Sequence, residues 1–277
     1  MAELDGRTAL VTGSVRGIGL GVAQALAEGG ARIALHGIAG DMEIREARQA
    51  LRAAGSPEVE FFGGDLRDPG QIETLVAAVE AWGARVGTGD KTRGLDILVN
   101  NAGIQHTAPI ADMPGETWDA ILAVNLSAIF HTMRLALPAM AARGYGRVVN
   151  IASVHGLVAS VDKAPYVAAK HGLVGLSKVA ALEYATAGDR ARGGVTVNCI
   201  APGWTETQLI QPQIDAAAAA AGGDRGAGIA TLLAAKQPSQ RMSDPAEIGA
   251  LARWLCAPLA HNVTGTTIPV DGGWTAQ

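Results

Sequence analysis

Apolar residues occur in two kinds of stretch along this chain. Residues 7–12, 31–35, 59–62, 96–99, 147–151, 195–200 and 266–270 form short runs that are apolar almost throughout. Runs of that length and composition predict strands buried on both faces. Between them lie longer stretches with apolar residues at helical spacing. The first follows Gly19 and stops at Gly29-Gly30; others span 41–54, 71–82, about 116–143, 166 to about 187, and 244–255. In the third, Ile72, Leu75, Val76 and Val79 trace one face. Asp41 is placed to cap its helix, and Pro245 stands in a first turn. Strand and helix alternate from end to end. That order predicts an α/β fold: one doubly wound parallel sheet with helices on both faces, in a single domain over 1–277. Residues 83–94 are Gly-rich and mixed in charge and read as a surface loop. Residues 205–240 carry no strand signal; the alanine run 216–221 favours helix there, and the segment reads as a helical lid over a site.

The strand ends carry the candidate chemistry. After the first comes Thr12-Gly13-Ser14-Val15-Arg16-Gly17-Ile18-Gly19, a strand, a glycine-rich turn and a helix. This context suits a dinucleotide: Gly13 permits the turn, Gly17 and Gly19 permit close approach, and the helix start offers free N–H groups to phosphates. The spacing differs from G-x-G-x-x-G. No acid follows the second strand before Asp41, and the turn 36–40 has no Arg or Lys for a 2′-phosphate, although Arg16 could serve. Asp65, after the third strand, could meet an adenine amino group or cap a turn. Asn100-Asn101-Ala102-Gly103 ends the fourth strand with small and amide residues that suit contact with a flat ligand. Asn125 lies within an apolar helical stretch and needs buried partners. Ser153 ends the fifth strand, and Tyr166 and Lys170 share a helix face one turn apart. An ammonium beside a phenol favours the phenolate, so Tyr166 could exchange a proton with an alcohol or carbonyl oxygen.

Composition narrows the function classes. Hydrophobic residues make up 48% and charged residues 17% of the chain, and the net charge is −4. No basic field recruits nucleic acid or anionic membrane. No uninterrupted apolar run approaches a membrane span, and the first six residues do not resemble a signal peptide. Cys199 and Cys256 lack metal or redox spacing, so no metal is expected. These features point to a cytoplasmic protein.

Taken in order, Thr12-Gly13-x3-Gly17-Ile18-Gly19, Asn100-Asn101-Ala102-Gly103, Asn125, Ser153, Tyr166-x3-Lys170 and Pro202-Gly203 resemble the short-chain dehydrogenase/reductase family over essentially the whole chain. The resemblance implies a Rossmann-type fold and hydride transfer to or from a nicotinamide cofactor. It also implies Tyr166 as acid/base, with Lys170 lowering its pKa and holding the nicotinamide ribose. Ser153 would steady the substrate oxygen, and Asn125 would anchor a proton-relay water. The cofactor would be held by Gly13, Ser14, Arg16, Gly17, Ile18, Gly19, Asp65, Leu66, Asn101, Ala102, Gly103, Tyr166, Lys170, Pro202 and Gly203. Within the family, residues 100–108, 150–160, 166–172, 236–239 and 271–276 resemble bacterial D-3-hydroxybutyrate dehydrogenases. That likeness implies NAD as cofactor, a small hydroxy or keto acid as substrate, and a homotetramer. It assigns Gln105, Ser153, His155, Lys163, Tyr166 and Gln213 to the substrate, with Trp204 and Trp274 as pocket walls. Two alternatives stand beside it: an NADP-dependent 3-oxoacyl thioester reductase, which Arg16 favours, and a non-catalytic nucleotide sensor on the same fold.

Overall fold

The computed structural model describes residues 2–86, 94–188, 191 and 193–276. Seven strands form one sheet: β1 (Thr8–Val11), β2 (Arg32–His36), β3 (Val59–Phe62), β4 (Ile97–Asn100), β5 (Tyr145–Ile151), β6 (Gly194–Pro202) and β7 (Thr267–Val270). Their order is β3-β2-β1-β4-β5-β6-β7. Every pairing is parallel. β1 lies between β2 and β4, with Ala9 opposite both Ile33 and Ile97. The strand order reverses there, and the crevice at the strands' C-terminal ends opens at that point.

The nine α-helices among the described residues are α1 (Gly17–Glu28), α2 (Asp41–Ala53), α3 (Pro69–Val86), α4 (Gly115–Leu122), α5 (Ala128–Arg143), α6 (Ala164–Tyr184), α7 (Gln211–Ala220), α8 (Arg225–Ala234) and α9 (Pro245–Cys256). Alternation along the strands builds a core on each face. Leu10, Leu98, Val148 and Val197 face α3, α5 and α6. Ala9, Val11, Ile33, Ile97 and Val99 face α1, α2 and α9.

Two elements differ from the sequence expectation. The stretch 116–143 is helical, but residues Ala123–Ser127 form a π turn between α4 and α5. Of the loop expected at 83–94, residues 83–86 are the last turn of α3, while 87–93 lie outside the described residues. Gly115–Arg143 is long and apolar enough to cross a membrane by length and composition alone. Here it contributes Ile129, Met133, Ala136, Leu137 and Met140 to the core against the sheet. Residues 205–240 contain a short 3-10 turn (Gln208–Ile210), α7 and α8.

Candidate active site

A cavity of about 600 Å³ runs along the crevice, a size that suits a ligand pocket. At one end, β1 passes through Thr12 and Gly13 into α1. Gly13 has φ +64, and a Cβ at position 19 would strike the Gly13 carbonyl, so both glycines are required by the turn. Arg16 is the residue before α1 and makes no side-chain cap, which leaves the first-turn amides free. The Thr12 hydroxyl accepts from the Asn101 and Ala102 amides at 3.0 and 3.1 Å. The Asn101 side chain returns bonds to the Thr12 and Gly13 carbonyls. The loops after β1 and β4 are thereby locked together.

His36, at the end of β2, is buried. Its Nε2 lies 3.2 Å from the Gly64 carbonyl, which can only accept, so Nε2 carries the proton. Nδ1 then accepts from the Gly13 amide at 3.3 Å. Burial lowers the His36 pKa and keeps this neutral form. At the same end of the cavity, Arg16 pairs with Glu43 at 2.8 Å. Glu43 also accepts from the Gly40 amide at 3.1 Å, across the first turn of α2. The Asp65 carboxylate is held by Arg67 at 2.5 Å, which lowers its pKa to about 2.

In the middle of the cavity stand Ser153, at the end of β5, and Tyr166, in the first turn of α6. Burial pushes the Tyr166 pKa up to about 12, against the opposing pull of the neighbouring Ser153 hydroxyl. The net shift of Tyr166 is thus upward, not the lowering expected from the Lys170 spacing. The Lys170 ammonium lies 5.6 Å from the Tyr166 ring centre and donates to the Ile151 carbonyl at 2.8 Å. Burial lowers the Lys170 pKa to about 8. Tyr166 is therefore a neutral phenol at physiological pH, a proton donor, with an ammonium close by. Asn125 sits in the π turn and is fully buried. Its side chain accepts from the Ile104 amide at 3.2 Å and donates to the Ile104 carbonyl at 2.7 Å. The amide is used to clamp the segment after β4 against the helix.

At the far end His155 packs edge-on against Tyr166, ring centres 5.9 Å apart, and against Trp274, 5.6 Å apart. Both ring nitrogens face serine hydroxyls, Ser153 at 3.3 Å and Ser160 at 3.0 Å. Burial, reinforced by Lys163 and Lys236, lowers the His155 pKa to about 3, so the ring is neutral. Lys163 lies 5.5 Å from the Trp204 ring centre. Its pKa is lowered by burial and then by Lys236. The Trp204 indole N–H and the Thr205 hydroxyl are buried without a hydrogen-bond partner, although buried polar groups normally find one. A proton donor, a neutral imidazole and an ammonium thus follow one another along the wall.

A family model described as short chain dehydrogenase matches residues 7–218. The chain belongs to this family. Short-chain dehydrogenases are oxidoreductases that bind NAD or NADP, and the glycine turn with its uncapped helix start fits the cofactor's phosphates. D-beta-hydroxybutyrate dehydrogenase of Cupriavidus necator is 46% identical over 99% of this chain and 100% of its own length. The Rhizobium meliloti protein of that name is 43% identical, covering 98% and 99%. Among solved structures, a gluconate 5-dehydrogenase from Burkholderia cenocepacia J2315 in complex with NADP and tartrate superposes with a TM-score of 0.82. It is 33% identical and covers 99% of this chain and 97% of its own.

Most of the residues singled out in the sequence line the one cavity: Gly13, Arg16, Gly17, Ile18, Asp65, Leu66, Asn101, Ala102, Gly103, Gln105, Ser153, His155, Lys163, Tyr166, Lys170, Pro202, Gly203, Trp204 and Trp274. Ser14 and Gly19 lie behind the glycine turn. The Ser14 hydroxyl accepts from the His36 amide at 3.0 Å and donates to its carbonyl. Asn125 braces the wall from behind. Gln213 lies off the wall on α7, its Oε1 buried without a partner. Gln105 donates to the Leu209 carbonyl at 3.1 Å, tying the segment after β4 to the 3-10 turn before α7. Three residues with a part in the site were not assigned one from sequence: His36, Glu43 and Lys236. The spacing Gly40-x-x-Glu43 is a helix-start signal that could have located Glu43.

Proposed function

We propose that this short-chain dehydrogenase interconverts (R)-3-hydroxybutyrate and acetoacetate, with NAD as its cofactor. The observation that carries the reading is a neutral Tyr166 and its neighbour Ser153 sharing one cavity with Lys163, His155 and the two tryptophans. The first pair suits a carbonyl or alcohol oxygen, and the ammonium suits a carboxylate a few bonds away. The two hydroxybutyrate dehydrogenases, similar at 46% and 43% identity, support the same substrate.

In the direction of reduction, the Tyr166 phenol donates its proton to the ketone oxygen. Ser153 shares that oxygen and steadies its developing charge. In oxidation Tyr166 takes the proton from the alcohol, and the Lys170 ammonium favours the phenolate then formed. Neutral His155 orients Ser153 and offers no competing charge to the carboxylate, which pairs with Lys163. The nicotinamide, when bound, supplies or accepts the hydride. Gly13, Gly17 and Ile18 would hold the pyrophosphate side, Arg16, Asp65 and Leu66 the adenosine side, and Asn101 to Gly103, Lys170, Pro202 and Gly203 the nicotinamide riboside. The choice of NAD is supported by the two arginines at the adenosine end, each of which is already paired with a carboxylate.

Arg16 on the cavity wall favours the second reading, an NADP-dependent reductase of carrier-linked 3-oxoacyl thioesters. Initial rates at 340 nm with (R)- and (S)-3-hydroxybutyrate, each with NAD and NADP, separate the two. Turnover of the (R) acid with NAD is expected. Turnover confined to NADP and a thioester would reject the proposal. In this reading residues 205–240 act as a lid on a single catalytic domain, and the enzyme is a soluble cytoplasmic homotetramer. Light scattering after size exclusion tests its assembly.

A further inference from the structure

Lys236 follows α8, and the chain just after it is fixed to both tryptophan-bearing segments. The neighbouring Gln237 is only 1% exposed, and its Oε1 accepts from the Trp204 amide at 3.1 Å. Two residues further on, the Ser239 amide donates to the Gly272 carbonyl at 2.9 Å, just before Trp274. From this position the Lys236 ammonium reaches to 5.8 Å from the Trp274 ring centre. Lys163 stands 5.5 Å from the Trp204 ring centre. The two rings are 6.0 Å apart, with 31° between their planes. One tryptophan pair therefore carries a cation on each member.

Among the described residues, no ion pair engages either ammonium. Lys236 repulsion adds to burial in lowering the Lys163 pKa. Like charges held over adjoining rings cost free energy until an anion arrives. His155 between Tyr166 and Trp274 is neutral and supplies no negative charge. A carboxylate has two oxygens, and flexible ammonium groups can approach them from two sides.

We propose that Lys236 is a specificity-determining residue that shares the substrate carboxylate with Lys163. This rests on the hydroxy-acid reading above. Lys236 is exposed and stands over Trp274 at the cavity's edge, on the segment after β6, so the acid would be gripped from the lid side as well as from the α6 side. An uncharged substrate of the same length receives neither grip. The selection is therefore for acids whose carboxylate reaches the tryptophan pair while the hydroxyl meets Tyr166.

The test compares (R)-3-hydroxybutyrate with its methyl ester in the wild-type enzyme, K236Q and K236R. The acid-to-ester ratio of kcat/KM should fall about tenfold in K236Q, the size of one lost charge-assisted hydrogen bond, with most of the change in the acid's KM. K236R should restore most of the ratio. If the wild type prefers the acid and K236Q keeps the same ratio, the proposal is overturned and the hydroxybutyrate reading survives. An equal loss for acid and ester would assign Lys236 a structural part in the segment and also overturn it. A wild type that turns over the ester but not the acid, with either cofactor, would remove the hydroxy-acid reading and this inference together.

Discussion

Changing Glu43 to Gln isolates the charge that restrains Arg16. The carboxylate accepts from Arg16 at 2.8 Å and from the Gly40 amide at 3.1 Å. Glutamine keeps an acceptor for Gly40, so the start of α2 survives while the negative charge is lost. Both side chains are nearly half exposed, 49% for Arg16 and 44% for Glu43, so a water-like dielectric applies. Two unit charges at 4 Å then interact by about 1 kcal/mol. A 2′-phosphate carries about 1.5 to 2 negative charges. Allowing for a longer separation, removing Glu43 relieves about 1–2 kcal/mol of repulsion toward NADP, which is about a 5- to 30-fold change. The ratio of kcat/KM with NADP to that with NAD should rise by that factor. Equilibrium titration of each cofactor should show the same shift in Kd, independently of turnover. Unfolding temperature should move little, because an exposed pair contributes at most about 1 kcal/mol. A cofactor ratio within twofold of wild type, in both rate and binding, would refute the placement of Arg16 beside the ribose.

Tyr166→Phe should lower kcat by about 10²- to 10⁴-fold while cofactor Kd stays within about twofold; initial rates and titration check it, and near-normal turnover removes Tyr166 as the acid/base. Lys163→Ala should raise KM for the hydroxy acid by about tenfold or more with a smaller effect on kcat. On the proposed function the Lys163 cation pairs with the carboxylate, and its pKa lies below its ordinary 10.5. KM should therefore climb as pH rises through that lowered value, earlier than an ordinary lysine would give. A KM that stays flat from neutral pH to pH 10 contradicts this. Asn125→Ala strands the Ile104 amide and carbonyl, costing about 2–4 kcal/mol and lowering Tm by about 5–10 °C. An unchanged melting curve would show that the clamp is dispensable.

The fold was readable because its elements report themselves locally. Leu10, Leu98, Val148 and Val197 belong to strands covered on both faces, and such strands are apolar without interruption. The Tyr166–Lys170 spacing could be read as one helix face because both residues lie on α6. The net shift of Tyr166 could not be read. It is set by burial, while Lys170 is turned to the Ile151 carbonyl, 19 residues away in sequence. Arg16 and Glu43 stand 27 residues apart, and nothing between them announces their contact. Lys236 looks like any surface lysine until β6 and β7 bring Trp204 and Trp274 together. Gln213 was assigned by likeness, but its place on α7 depends on how the segment packs.

The π turn at Ala123–Ser127 sets two demands on the chain against each other. Deleting one residue there would let α4 and α5 merge into a regular helix with better hydrogen bonds. It would also rotate everything on one side of the deletion by about a quarter turn or more, and Asn125 could not hold Ile104 from the same place. The gain in regular helical hydrogen bonds would be set against the lost Ile104 clamp and the displaced core side chains, and a screen for turnover would discard such deletions. The surplus residue is thus a local irregularity retained for shape, and engineering toward a smoother helix would work against the wall that it supports.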